Sequence, residues 1–523
     1  MFPEPIHKSV YFGALILLAV SLPLSIFTLS TAEIALVVNW ILEGKLKHKW
    51  DLIKQRPSLW FIFLFYAVHL LWMGNTTDLE WGLHDLKIKL PMLAIPLVIG
   101  TSEFINEKKL KILLNFYLAA VLAASLISGY FIFSLDGIKN HDIQEISPFV
   151  WHIRWSLMVV ISIYITFWLI NKTKSPNRWL YIFLTLWLII YLFFLQVLTG
   201  IVVFILTSTI ILIWLTFKSN SLMVKWFSVI ILATLLLLTS SYVSHSYAKF
   251  FTFEKIDMTS LIKNTAKGNP YSNDLKNKSV ENGHYIYIYI CEPELRETWN
   301  IRSKSSYDGK TQNGWNIKDC LIRYLASKGL HKDAEGVNKL SDNEIKYIEI
   351  GKTNYIDTIK YSFYSRIYKA IWELYNYSTG SNPTGYSISQ RIEFLKTAAH
   401  IIENNFWFGV GTGDVPTVFS SQYEIEKSRL SKDNRLRAHN QLVTFLLSFG
   451  IFGFLFILFS LIAPAILEHK LSSYLFLIIF IIGFLSFINE DTLETQHGIS
   501  FFTFFYALFL FADSPAKTNV NVE

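Results

Sequence analysis

The chain has 523 residues, of which 52% are apolar and only 17% charged, against about 25% charged in a soluble domain. That balance excludes an ordinary soluble protein, and long apolar runs between short basic loops read as membrane spans. In such a chain the net charge of +7 marks topology before it marks any partner, and no nucleic acid is expected.

Apolar runs fall at 9–29, 31–42, 58–74, 89–101, 110–133, 148–170, 179–197, 198–217, 225–243, 440–467, 472–487 and 498–512. The first, from Val10 to Leu29, is long for a cleaved leader, and no small-residue cleavage site follows it, so it is expected to remain as a span. The short runs 31–42 and 89–101 need flanking residues or tilt to cross. Lysine and arginine gather in alternate loops: Lys45, Lys47, Lys49, Lys54 and Arg56; Lys108, Lys109 and Lys111; Lys172, Lys174 and Arg178; Lys218 and Lys225; Lys470. The loops near 75–88, 134–147 and 488–497 are poorer in them. With both termini cytoplasmic, every basic loop lies inside. The predicted fold class is an all-α polytopic membrane protein of about twelve transmembrane helices with one large external α/β insert. Its expected parts are 1–243 with the first nine spans, 244–439 outside, and 440–523 with the last three spans and a short tail.

Within the insert, the alternation His284-Tyr-Ile-Tyr-Ile-Tyr-Ile290 predicts a strand, and 316–328 and 361–376 predict amphipathic helices. Cys291 and Cys320 both fall here, either as a disulfide in an oxidising compartment or as two buried free thiols. Residues 378–390 read as turns, and Arg391 to Asn404 as a helix. Its apolar side, Ile392, Leu395, Ala399 and Ile402, suits the membrane surface or the spans.

Four groups of residues carry candidate chemistry. Phe408-Gly-Val-Gly-Thr-Gly-Asp414 places Gly409, Gly411 and Gly413 where backbone N–H groups could approach an anion, beside Asp414. The alternative is a tight turn between helices; no strand precedes it, so it is not a dinucleotide fingerprint. Ala438-His439-Asn440 precedes a span, and a histidine there is either a base or phosphate contact, or an interfacial side chain reaching water. Arg154, in His152-Ile-Arg-Trp-Ser-Leu-Met158, is suited to diphosphate oxygens through its planar fork, or is an anchor beside Trp151 and Trp155. In Asn489-Glu-Asp-Thr-Leu-Glu-Thr-Gln496, a helix would align Glu490 with Glu494, which then could pair with the arginines; otherwise this is a solvated acidic loop. Neither a zinc or redox cysteine spacing nor an Asp-x-Asp pair for a metal–nucleotide-sugar complex occurs.

Arg391 opening a helix, Phe408-Gly-Val-Gly-Thr-Gly-Asp, Ala-His439-Asn and Phe449-Gly-Ile-Phe-Gly453 follow in an order that resembles the signature of the O-antigen ligase and polymerase superfamily. Leu321-Ile-Arg-Tyr-Leu-Ala-Ser-Lys-Gly-Leu330, Asn382-Pro-Thr-Gly385 and Leu493-Glu-Thr-Gln496 look like its ligase-like branch. The resemblance is close over 380–500 and loose elsewhere. It implies an inverting glycosyltransferase with a membrane fold of the C type, needing neither metal nor cofactor. The donor would be a glycan on undecaprenyl diphosphate and the acceptor a sugar of the lipid A core. The site would face the periplasm from the bacterial inner membrane, among membrane lipid. Arg391 would bind the diphosphate, and His439 would activate the acceptor hydroxyl or steady the leaving group. Gly409, Gly411, Gly413, Asp414, Asn440, Glu490, Glu494 and Arg154 would line the substrate site. The family's mid-chain arginine falls here at Leu198, in Val197-Leu-Thr-Gly200; either this branch dispenses with that contact or Arg154 supplies it. Three other readings remain: an O-antigen polymerase joining lipid-linked repeats, a protein O-oligosaccharyltransferase acting on Ser or Thr, and a flippase or transporter. The last predicts broken helices and midplane charges; Glu33 is one mid-span charge, while most polar residues gather at the outer face.

Overall fold

A computed structural model describes residues 3–133, 149–174, 176–257, 260–359 and 363–512. The outer loop expected at 134–147 and the tail from 513 lie outside the described residues. Each of the twelve apolar runs forms a helix: α1 (Glu4–Leu24), α2 (Ile26–Leu42), α4 (Pro57–Leu71), α5 (Leu79–Thr101), α6 (Glu107–Phe133), α7 (His152–Lys172), α8 (Arg178–Phe194), α9 (Leu198–Lys218), α10 (Leu222–Phe250), α18 (Gln441–Leu467), α19 (Tyr474–Asn489) and α20 (Gln496–Phe511). Among the described residues seven helices are long and apolar enough to cross a membrane, or eight if one bent pair is a single span. The chain is thus a helical, multi-pass membrane protein.

Several boundaries differ from the sequence reading. The first break comes at Ser25, not near residue 30, because the Ser25 hydroxyl accepts the Thr28 N–H and caps α2. The basic segment 43–57 is not a loop: Gly44 and Lys45 turn the chain, and α3 (Leu46–Gln55) leaves α2 at 109°. Residues 79–88, expected in a loop, are the first turns of α5, capped by Asp78, which accepts the Trp81 N–H at 2.9 Å.

The described chain divides into two compact units, Met1–Val229 with Gly380–Glu523, and Ile230–Thr379. In the second, the core gathers Leu295, Trp299, Ile317, Leu321, Tyr324, Leu325, Val337, Ile345 and Ile348. These come from α11 (Glu292–Arg302), α12 (Ile317–Ser327), the short α13 (Ala334–Asn338) and α14 (Asp342–Glu349); α15 (Phe363–Ser378) follows. The helices expected at 316–328 and 361–376 are α12 and α15. The seven-residue strand is not formed. Among the described residues β2 (His284–Tyr285) pairs with β1 (Val280–Glu281), across an Asn282-Gly283 turn in which both φ are positive, and Ile290 makes isolated bridges to Ser272 and Lys332. Beyond it Tyr289 takes φ 56 and the segment bonds to an irregular stretch, so the alternation has no regular partner strand. Among the described residues the insert is mainly helical with one short hairpin, and the expected α/β character does not emerge there. Cys291 and Cys320 are free and buried, which removes the disulfide alternative.

In the first unit, α4 packs along α18, α1 along α2, and α5 along α20. Then comes α16 (Ser387–Asn404), which buries Phe394, Thr397, Ala398 and Ile401 against Phe419 and Tyr423 of α17 (Val415–Ile425) and against Ala438 and Leu447. That face is rotated from the expected one; Leu395 is 39% exposed.

The packing of this unit turns on a break in α18. Gly450 has φ 61 and ψ −173, which no helix permits. A broken helix leaves backbone groups without partners, and in an apolar surrounding each costs several kcal/mol. Here the turn after α16 supplies them. Val410 N–H donates to the Leu447 carbonyl at 3.0 Å, Gly411 N–H to Ser448 at 2.9 Å, and Ile451 N–H to Phe406 at 2.8 Å. The two backbones touch through glycine. A Cβ on Gly409 would lie 2.4 Å from the Ser448 carbonyl, and one on Gly450 would lie 2.3 Å from that of Trp407. Gly450→Ala is therefore expected to destabilise the protein by roughly 3 kcal/mol or more. A lower melting temperature in detergent and lower membrane accumulation will report it. Gly13→Ala, which meets nothing within 4 Å, should change neither.

Candidate active site

Two loops meet at one end of α18. One is the approach to the helix, Arg437 to Asn440; the other is the link from α19 to α20, Glu490 to Thr495. Asn440 ends the first by capping α18: its Oδ1 accepts the Val443 N–H at 3.1 Å, and its Nδ2 donates to the Ile488 carbonyl at 2.8 Å. The second bond ties the approach to α18 to the end of α19, just before the other loop. His439, one residue earlier, is held at φ 48, a strained conformation for a non-glycine residue. Its N–H donates to Asp491 Oδ2 at 3.1 Å, and its ring stacks on Phe394 at 5.6 Å. The ring Nδ1 faces Glu490 Oε2 across a long contact of 3.5 Å.

Glu490 is shared. Its other oxygen accepts from Arg391 Nη2, while Arg391 Nη1 donates to Asn489 Oδ1 at 2.6 Å. Asn489 in turn donates to Thr199 Oγ1 at 2.7 Å, beside Leu198. The structure thus brings Arg391, Glu490 and His439 together, all partly exposed at 27%, 17% and 31%. Arg154, one turn into α7, feels the Glu490 charge but has no hydrogen bond or ion pair among the described residues. It sits on the helix that packs against α9, which Leu198 opens.

Glu494 belongs to a different cluster. Glu490 is extended, so the helical alignment of the two acids does not form. Glu494 is 8% exposed and accepts from Lys89 at 2.9 Å, Arg437 at 3.1 Å and Gln441 at 2.7 Å. Lys89 also pairs with Asp85 at 3.1 Å. Burial opposes the charge on Glu494, but Lys89 and Arg437 hold its carboxyl well below the usual carboxylate range. Burial, with Glu494 close by, instead pushes Asp491 up; Asp491 accepts from Thr444 Oγ1 at 2.7 Å.

The glycine turn lies apart from these clusters. The N–H groups of Gly409, Gly411 and Gly413 already donate to Asn405, Ser448 and Thr76, leaving those three donors no anion to hold. Asp414 accepts from the N–H groups of Thr77 and Asp78 at 2.8 to 3.0 Å and from the Thr77 hydroxyl at 3.0 Å. A Cβ on Gly413 would lie 2.2 Å from the Asp78 carbonyl. The anion-binding role expected of this turn thus gives way to a packing role.

Sequence reasoning missed Lys89, Asp85, Arg437, Gln441, Asn489 and Asp491. The available signal was Asp85 and Lys89 four apart at the edge of an apolar run, where an ionisable group calls for a partner. No curated protein matches the chain. Residues 354–458 match the family model described as O-antigen ligase. Arg391, the glycine turn, His439 and the broken start of α18 all lie inside that match, so this segment of the chain is similar to the O-antigen ligase domain.

Proposed function

We propose that this protein is an O-antigen ligase-like glycosyltransferase. It moves a glycan from undecaprenyl diphosphate to a sugar of the lipid A core, at the periplasmic face of the bacterial inner membrane. The observation that carries the reading is the single carboxylate of Glu490 bridging Arg391 and His439 inside and beside the matched domain.

The reaction needs an acceptor hydroxyl made nucleophilic and a leaving diphosphate made comfortable with its charge. His439 suits the first. With Nδ1 turned towards Glu490 and the ring plane set by Phe394, Nε2 is the nitrogen available to take the hydroxyl proton. The acceptor oxygen then bonds to the anomeric carbon as the bond from that carbon to the diphosphate oxygen breaks on the opposite face, which inverts the centre. Arg391 and Arg154 suit the second task as cations flanking Glu490. Arg154 stands on the helix next to Leu198, where the family has an arginine, and so supplies the charge that Leu198 lacks. Side-chain cations supply this stabilisation, so the scheme needs no metal. The alternation of basic and base-poor loops, read as twelve spans with both termini cytoplasmic, supports a site on the outer face, where core and lipid-linked polymer meet.

The lipopolysaccharide profile of a strain lacking the gene tests the reading. Bare core, with polymer stranded on the lipid carrier, is the expected result. Core bearing one repeat unit would identify a polymerase instead, and an unchanged profile would overturn both. In a complemented strain, His439→Ala is expected to lower transfer by about 10²–10⁴-fold with membrane levels intact. Arg391→Lys should lower it about tenfold or more, since lysine cannot engage two partners through a planar fork.

A further inference from the structure

We infer that Glu494 is a positioning residue that sets the distance between His439 and Glu490, with Lys89 as its buried counter-charge. The inference rests on the assignment of His439 and Glu490 to the reacting site. Its warrant is where the bonds to Glu494 come from. Arg437 and Gln441 flank His439 two residues to either side, and both donate to this one carboxylate. Glu494 itself follows Glu490 by four residues on the opposing loop. The segment that carries the histidine and the segment that carries its carboxylate are thus pinned at the same point.

The pin is tight on every side. Gln441 Oε1 accepts the Leu493 N–H at 2.7 Å, and Lys89 Nζ donates to the Leu493 carbonyl at 2.9 Å. At the other end of the loop the Thr492 hydroxyl bonds Ser486 at 3.0 Å. Lys89 is fully buried where the apolar half of α5 begins, a demanding place for an ammonium. Two of its three contacts go to the loop and the third to Asp85, so Lys89 and Arg437 balance Asp85 and Glu494. A well-packed apolar cluster would stabilise this region as well as an ion network does, whereas an ion network fixes one arrangement. With both oxygens engaged by protein donors and its side chain only 8% exposed, Glu494 acts within the protein and not on substrate.

The test measures transfer in membranes or proteoliposomes against the concentration of lipid-linked donor, normalised to folded protein. Glu494→Gln and Lys89→Met are compared with wild type, and each is repeated in a His439→Ala background. Displacement of a catalytic group by about an ångström lowers turnover roughly ten- to a hundredfold. That loss is expected in kcat, with the KM for donor nearly unchanged. In the His439→Ala background neither substitution should lower the residual rate further. Where a charge variant fails to accumulate, Gln441→Leu breaks two bonds of the pin without stranding a charge and is expected to show the same kcat loss. Wild-type kcat in folded variants, a rise in KM alone, or an undiminished loss in the His439→Ala background each overturns the inference. Failure of the wild type to transfer from the lipid-linked donor would instead overturn the assignment of function.

Discussion

The first unit depends on the contact between two glycines forty-one residues apart in sequence. Gly450 interrupts α18, and the interruption survives because the turn around Gly409 lends it the hydrogen bonds a continuous helix would have kept. Side chains larger than hydrogen would separate the backbones and leave those groups bare. The same turn is held from its far side by Trp72, Asn75 and Thr76 and by the Asp414 carboxylate over Thr77 and Asp78. One short glycine-rich stretch therefore clamps α4, α5, α16 and α18. Since α16 carries Arg391 and α18 begins just after His439, the clamp sets where the two candidate groups lie.

A second level of order lies in the link between α19 and α20. Its two glutamates are four residues apart and have opposite surroundings. Glu490 is reached by solvent and shared between a guanidinium and an imidazole. Glu494 is closed off between two cations and an amide. The difference follows from backbone shape: an extended Glu490 and a tight turn at Thr492–Glu494 send the side chains into different layers. A loop anchored this deeply presents an exposed carboxylate with little freedom, which is what a catalytic arrangement requires.

What could be read in the sequence follows from how local each determinant is. Apolar length is local, so all twelve runs emerged as helices, although capping at Ser25 and Asp78 moved their ends. The Asp85-Lys89 pair lowered the hydropathy of the first half of α5 and hid it as a loop, when the pair's burial is the reason the charges are there. Alternation in 284–290 was over-read because a strand also needs a partner, while Asn282-Gly283 was the shorter and more reliable signal. In α16 the 3.6-residue period was right, but the face packed against the protein is centred on Phe394, Ala398 and Ile401, chosen by Phe419, Tyr423 and Leu447, which lie far along the chain. The three glycines announced a close approach but not what approached; Gly450 stood in the Phe-Gly-Ile-Phe-Gly motif, but that it breaks α18 against that turn is visible only in three dimensions.

The charges around Glu490 bear on how the proposed donor would enter. Arg391 uses one N–H of each terminal nitrogen, for Asn489 and for Glu490, so a diphosphate bound to this guanidinium would either share it with the carboxylate or displace it. Arg154 has no such competitor among the described residues. Under the proposed function Arg154 and Arg391 are the two cations offered to the donor beside Glu490. Where phosphate oxygens replace Glu490 on Arg391, that carboxylate is released towards the other partner it already faces, the imidazole of His439. Donor binding and the readiness of the base would then be linked through one side chain, with no movement of the backbone that the glycine clamp holds in place.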